Sequence, residues 1–352
     1  MAEKVTELPN QESYNERVDK LLKERGISEI ETGKPQVFEI KIASLVDQSN
    51  EEKANRVRRE TLAVMEELEI SPDTKVTIEK REVKFNEDVT QSAMSEIFPD
   101  RPVQQLLTHY LLRSNSLVVG DEVWINTFSH GGTIRPDTSE KSPFLPLIHT
   151  LAEKRQIPIF TNTINHRGSR PQDKEKYSLW DRTTDLLVAH TVMTSGDLLE
   201  DIDPNSNKLK FALVGNSMGG DVVALASKDL QPNVIILPQP AAYSEKAHFV
   251  PLGPAFTGII REPSSWKTSP AFDSLEEYLA RGGKALIIGA REDEAIPGGV
   301  AKRYMKEVTY AYANRAVSTE GKTHFTGLMW INVGHTSTTP DEIRAIVESF
   351  SV

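Results

Sequence analysis

Read for the spacing of apolar and polar positions, the chain divides into unlike parts. Residues 1–35 are strongly charged and poor in large apolar side chains, the pattern of a surface helix or a partly disordered arm. "QVFEIKIASL" (36–45) alternates with the period of a strand, and "KVTIEKREVKF" (75–85) does so again. Between them Ser49 and Glu52 stand at capping-box spacing, and Ala54, Val57, Thr61, Met65 and Leu68 recur every three or four residues, which predicts an amphipathic helix. Pro99, Arg101 and Pro102 then break the chain before a helix expected over 103–113.

From about residue 116 strands and helices alternate. "DEVWINTFSHGG" reads as a strand entering a Gly-rich turn, "FLPLIHTLAEKRQ" as an amphipathic helix, and "IPIFTNTINHRG" as a strand ending in a polar loop. A long helix over 181–202 precedes the apolar run Phe211–Val214, followed by a turn and a second aliphatic run, Val222 to Ala226. "NVIILPQP" and "KALIIGAREDEAIP" are further buried strands, and the end combines a short strand, a histidine loop and a last helix opening at Thr339-Pro340. Such alternation predicts an α/β fold: a mainly parallel, doubly wound sheet covered on both faces, with an N-terminal α+β extension. The expected divisions are a charged arm or helix at 1–35, a strand–helix–strand region at 36–115 that packs on the core or supplies its first strands, and a main domain at 116–352. About forty residues rich in Pro, Ser and aromatics (roughly 240–283) would form a small, irregular cap.

Composition narrows the function. With 352 residues and 38% hydrophobic content gathered in discrete runs, a sizeable core can be buried. A net charge of −10 argues against nucleic acid or an anionic membrane as partner, since both ask for a basic patch. No stretch approaches the roughly 20 apolar residues of a membrane span, and residues 1–20 contain no apolar segment of secretory type. The chain contains no cysteine, which removes disulfides, thiol catalysis and thiolate metal sites and fits a cytoplasmic protein. No His-x-x-x-His or Asp/His cluster stands at metal spacing, and no Gly-rich phosphate loop is visible, so neither a metal nor a cofactor is expected.

In an open parallel sheet, functional groups gather where strands end. Here those ends carry His130-Gly131-Gly132, then Ser217, the run Glu292-Asp293-Glu294, and His335. Ser217 sits in Gly215-Asn216-Ser217-Met218-Gly219, between a predicted strand and a predicted helix. This arrangement resembles the α/β-hydrolase family, whose nucleophile elbow reads G-x-S-x-G, and the resemblance covers roughly residues 120–350.

The resemblance implies a serine hydrolase acting on a small acyl compound, most simply a carboxylic ester. Ser217 would be the nucleophile, His335 its base, and Asp293 the residue that orients the base. The Met218 and Gly132 N–H groups would form the oxyanion hole. Glu292 and Glu294 are alternatives to Asp293, which the Pro297 four residues later favours. His324 rivals His335, which lies 42 residues beyond Asp293 but follows a strand-like run and precedes the last helix. His130 and Gly131 are candidate substrate-binding residues, with turning the loop through hydrogen bonds, or a catalytic part, as the other readings for His130. Phe249, Phe256 and Trp266 are candidate pocket or cap residues, with plain packing as the other reading. His166-Arg167-Gly168 reads as loop architecture that could line the pocket. Asp221 departs from the small or apolar residue usual so soon after the elbow; a carboxylate near a helix N-terminus is favourable. Thioesters and amides use the same machinery. The alternative from another class is a noncatalytic receptor or protein-interaction module that keeps the fold, with residues 1–115 docking a protein partner or a second copy.

Overall fold

The computed structural model describes residues 20, 23–24, 27–42, 51–87, 106–113, 122–132, 144–168, 171–194, 208–316, 327–335 and 338–351. The alternating segment near the N-terminus becomes β1 (Ile27–Thr32) and β2 (Gln36–Lys41), both antiparallel to the long β3 (Lys75–Glu87). Helix α1 (Glu51–Glu67) buries Thr61 and Met65, with Leu68 just past its end, on the face the three-to-four spacing predicted; Ser49 and the side chains of Ala54 and Val57 lie outside what is described. Part of the charged arm is thus a strand, β1, rather than a helix or disorder.

The helix expected over 103–113 is a strand, β4 (Leu106–Arg113), which pairs antiparallel with β3 on one side and β6 on the other. Tyr110 and Leu112 enter one core and Leu111 the other. A strand buried on both faces has no polar alternate positions, so the run "LLTHYLL" carried no period-two signal to separate it from a buried helix.

The remaining strands are β5 (Glu122–Ser129), β6 (Ile159–Asn165), β7 (Lys208–Gly215), β8 (Val234–Pro238), β9 (Ala285–Ala290) and β10 (Leu328–Ile331). All ten join one sheet in the order β1-β3-β4-β6-β5-β7-β8-β9-β10, with β2 beside β3; from β6 to β10 neighbouring strands are parallel. Helices α2 (Phe144–Lys154) and α9 (Pro340–Glu348) share one apolar core with α1. Helices α3 (Leu179–Thr194), α4 (Met218–Leu230), α7 (Pro270–Ala280) and α8 (Gly298–Ala316) share the other, with the short α5 (Glu245–His248) and α6 (Pro254–Ile260) beside them. The cap segment is therefore irregular only up to Ser269, because α7 packs on α4 as a regular covering helix.

The strand order reverses around β5: the chain passes from β5 to β6 on one side, then returns to β7 on the other. Connections leaving opposite faces open a crevice at the carboxyl ends of these strands. Register makes those ends level, since Ser129 pairs with Gly215 and Ala290 pairs with Ile331.

Candidate active site

The turn after β7 is as sharp as the five-residue motif requires. Ser217 has φ 53° and ψ −118°, a left-handed strained position that projects its hydroxyl away from the sheet. The turn is held by bonds from Ser217 N–H to the Pro238 carbonyl and from Asn216 N–H to the Ser129 carbonyl. Both glycines are required by close approach. A Cβ on Gly215 would meet Gly219 O at 2.4 Å, and one on Gly219 would meet Ser129 O at 1.9 Å. Helix α4 starts at Met218, so the Met218 N–H has no carbonyl one turn back within the helix.

Two other strand ends supply the partners. His335, after β10, places Nε2 2.8 Å from Ser217 Oγ and Nδ1 2.8 Å from Asp293 Oδ2. Asp293, after β9, is held in turn by the N–H groups of Ala295 and Ile296 on Oδ1, at 2.9 and 2.8 Å. A carboxylate only accepts, so Nδ1 carries the ring proton and Nε2 is left to accept the serine O–H. The histidine side chain stays 17% exposed, open to a reactant. Glu292 and Glu294 are exposed beside this chain of bonds, and His324 lies outside the described residues.

Gly131 and Gly132 follow β5 and lie against the elbow. A Cβ on Gly131 would sit 3.1 Å from Ser217 Cβ, and one on Gly132 2.9 Å from Met218 Cε. His130 is not placed to touch substrate: it is fully buried behind this loop, with Nδ1 2.7 Å from the Gly131 carbonyl, so it turns the loop instead. Burial holds it well below the ordinary histidine value, with Arg182 and His166 adding to the effect. Phe256 is buried against Tyr243 and belongs to the core, whereas Phe249 stacks near Trp180 and Trp266 near Phe272, both half-buried.

Beneath the loop lies a second array of the same residue types, which the sequence reading missed. Ser129 Oγ is 2.8 Å from His166 Nε2, and His166 Nδ1 faces Asp185 Oδ2 at 3.6 Å. Arg167 donates to the same carboxylate through Nε (2.6 Å) and its backbone N–H (2.8 Å). Burial alone would raise the Asp185 carboxyl, but Arg167 and His166 bring it below its ordinary value. His166 is held down by burial despite Asp185. Arg182 and Asp185 stand beside Asp181 in the polar first turns of α3, where nothing in the sequence separates them from solvated positions. His166-Arg167-Gly168 is accordingly a buried brace, with Gly168 at φ 73° turning the loop.

Asp221 is also fully buried. It accepts from Tyr243 N–H (3.1 Å) and Ser269 Oγ (3.0 Å) and faces His248 Nε2 at 3.2 Å, so it ties both ends of the irregular cap segment to α4. Burial raises its carboxyl despite those partners.

A parallel sheet that reverses order at β5, a strained serine between β7 and α4, and acid and histidine loops at the ends of β9 and β10 decide the architecture. The fold is of the α/β-hydrolase type. No family model matches the sequence, and no curated protein matches it either. Among solved structures the chain is similar to an acylaminoacyl peptidase from Pyrococcus horikoshii, with a TM-score of 0.47 and 12% identity over 78% of this chain and 47% of that one. It is similar to carboxyl esterase 2 from the mycorrhizal fungus Tuber melanosporum, with a TM-score of 0.46 and 14% identity over 71% and 82% of the two chains. A glucuronoyl esterase from Solibacter usitatus gives a TM-score of 0.48 and 10% identity over 78% and 81%. The chain spans 41% and 47% of the two peptidases that head these likenesses. Among the described residues of this α/β-hydrolase fold, no helix is long and apolar enough to cross a membrane.

Proposed function

We propose that the protein is a serine hydrolase that cleaves a small acyl compound, most simply a carboxylic ester, through an acyl-enzyme intermediate. The observation that carries this reading is the unbroken chain from Ser217 Oγ to His335 to Asp293, with both links at 2.8 Å. A serine hydroxyl is a weak nucleophile until a base takes its proton. His335 Nε2 receives it as Oγ attacks the acyl carbon, then gives it to the departing alcohol. Asp293 keeps the proton-bearing nitrogen on its own side and stabilises the imidazolium. Water then attacks the acyl carbon as it loses a proton to His335, and collapse of the second tetrahedral stage releases the acid while His335 returns that proton to Ser217 Oγ.

The negative oxygen formed at each tetrahedral stage needs donors already in place. The Met218 N–H, at the positive end of α4, and the Gly132 N–H, in the loop against Met218, are assigned that part. The half-buried Phe249 and Trp266 are assigned to the apolar margin of the substrate site, where the cap segment meets the core.

The test is turnover of p-nitrophenyl esters of graded acyl length, with wild type beside Ser217→Ala and a fluorophosphonate label mapped by mass spectrometry. Hydrolysis lost in the variant, with the label on Ser217, is the expected result. Neither turnover nor label in the wild type would overturn the reading in favour of a noncatalytic binding module.

A further inference from the structure

Helix α3 contributes a buried arginine whose single hydrogen bond runs to the loop after β5. Arg182 is 1% exposed, and its Nη1 donates to the Gly131 carbonyl at 3.1 Å, while its Nε and Nη2 have no hydrogen-bond partner among the described residues. The nearby carboxylate, Asp185, is already engaged by Arg167. The Asp185 charge favours the Arg182 guanidinium, but among the described residues no carboxylate pairs with it directly, and burying a guanidinium on a single hydrogen bond is costly. The helix start fixes its place. Asp181 accepts from both the N–H and the hydroxyl of Ser178 at 2.7 Å, which locks the first turn and sets Arg182 against the loop.

The Gly131 carbonyl receives a second donor, His130 Nδ1, at 2.7 Å. Two donors use both lone pairs of one carbonyl and leave its peptide plane no freedom to rotate. No peptide bond among the described residues is cis, and in a planar trans peptide the C=O and N–H point in opposite directions. Pinning the Gly131 oxygen from behind therefore fixes the direction of the Gly132 N–H. Hydrogen bonding to the carbonyl also polarises the peptide and strengthens that N–H as a donor.

We infer that Arg182 is a positioning residue for the oxyanion hole: with His130 it clamps the Gly131–Gly132 peptide so that the Gly132 N–H is aimed before substrate arrives. This rests on the reading of Gly132 as an oxyanion donor. A guanidinium this deeply sealed presents no face to a ligand, which sets it apart from an arginine that binds a substrate anion.

The experiment compares Arg182→Gln and Arg182→Lys with wild type. In Arg182→Gln, kcat should fall about 10- to 100-fold, less than the loss of an oxyanion donor itself, with KM almost unchanged. The inhibition constant of a trifluoromethyl ketone, which forms a tetrahedral oxyanion on the serine, should rise by the same factor. Arg182→Lys, which keeps one donor and the charge, should recover part of both. A change confined to KM would assign the guanidinium to a substrate anion and overturn the clamp, as would unchanged kcat in a folded variant. Failure of both variants to fold would assign Arg182 to stability alone, which also overturns it.

A second readout separates this proposal from the hydrolase reading. Glycine labelled with 13C at the carbonyl and 15N at the amide leaves four Gly–Gly pairs visible by NMR, at 131–132, 219–220, 282–283 and 298–299. Arg182→Gln should move the 131–132 signal and leave the others in place. If wild type neither turns over esters nor labels at Ser217 while that signal still moves, the contact on the Gly131–Gly132 peptide stands but its oxyanion role falls together with the reaction reading. If wild type is active and the signal does not move, the clamp falls alone.

Discussion

Ser217–His335–Asp293 and Ser129–His166–Asp185 are built from the same three residue types, linked in the same sense, a strand apart. The first spans three strand ends with both contacts at 2.8 Å, and its histidine is 17% exposed. The second has one contact at 2.8 Å and one at 3.6 Å, and its histidine and aspartate side chains are 0% exposed. What separates the open array from the buried brace is access and backbone, not residue type. Ser217 is thrust out at positive φ, whereas Ser129 is the last residue of a regular strand with its hydroxyl turned into the core. The sealed array also carries an arginine on its carboxylate, which holds the charge in place.

The sharpest way to break this comparison is to remove each serine. Ser217→Ala should lower ester turnover by about 10^5- to 10^6-fold. Ser129→Ala should cost at most about tenfold in kcat, together with about 1–3 kcal/mol of stability, because it leaves a buried ring nitrogen without its partner. Similar losses of kcat in the two folded variants would mean that the buried array takes part in the chemistry.

Neutralising each carboxylate divides the two further. Asp293→Asn should reduce kcat by about 10^4-fold with little change in melting temperature, since the histidine loses its enforced tautomer. Asp185→Asn should do the reverse. It leaves the Arg167 guanidinium buried without an anion, at a cost of about 3–5 kcal/mol seen in urea or thermal unfolding. Equal stability losses from the two substitutions would remove the distinction.

The smallest effect is in acid. Burial holds His130 and His166 below their ordinary value and takes His190 down to about 3. Unfolded, all three take up protons as pH falls through about 6.5, while the folded chain does not, so they make stability fall below that pH until the folded values are reached. Glu342 acts with the opposite sign. Buried at the capping box of α9, it is raised to about 8, so its contribution weakens folding as pH rises from about 4.5 to about 8. Urea unfolding between about pH 7 and pH 5 should therefore show a steeper acid loss in Glu342→Gln than in wild type. Identical slopes would mean that Glu342 titrates in the folded chain as it does unfolded.

How much could be read beforehand differs between the same two regions. Ser217, His335 and Asp293 each lie just beyond an apolar run, and glycine, proline and cap residues marked the turns that hold them. Their convergence was therefore legible without coordinates. Arg182, Asp185, His166 and Ser129 sit inside or at the edge of regular elements, where a polar side chain looks like any solvated position. The same ambiguity hid β4, because a strand buried on both faces and a buried helix leave the same apolar run.

The sequence by itself determined the α/β alternation, the strained serine turn, and the order in which serine, acid and histidine leave their strands. These depend on neighbours a few residues away: side-chain periodicity, the missing Cβ at Gly215 and Gly219, and the Thr339 cap. Tertiary structure alone decided that β1 to β4 extend the same sheet, that Asp221 anchors the cap segment, and that a histidine and an arginine meet on the Gly131 carbonyl behind the loop that follows β5. Those outcomes depend on which faces become buried and which buried polar groups find partners across 18 to 51 residues of chain, as between Arg167 and Asp185 or Arg182 and Gly131. No local pattern records such pairings, because the cost of leaving a polar group unpaired arises only once the core has closed around it.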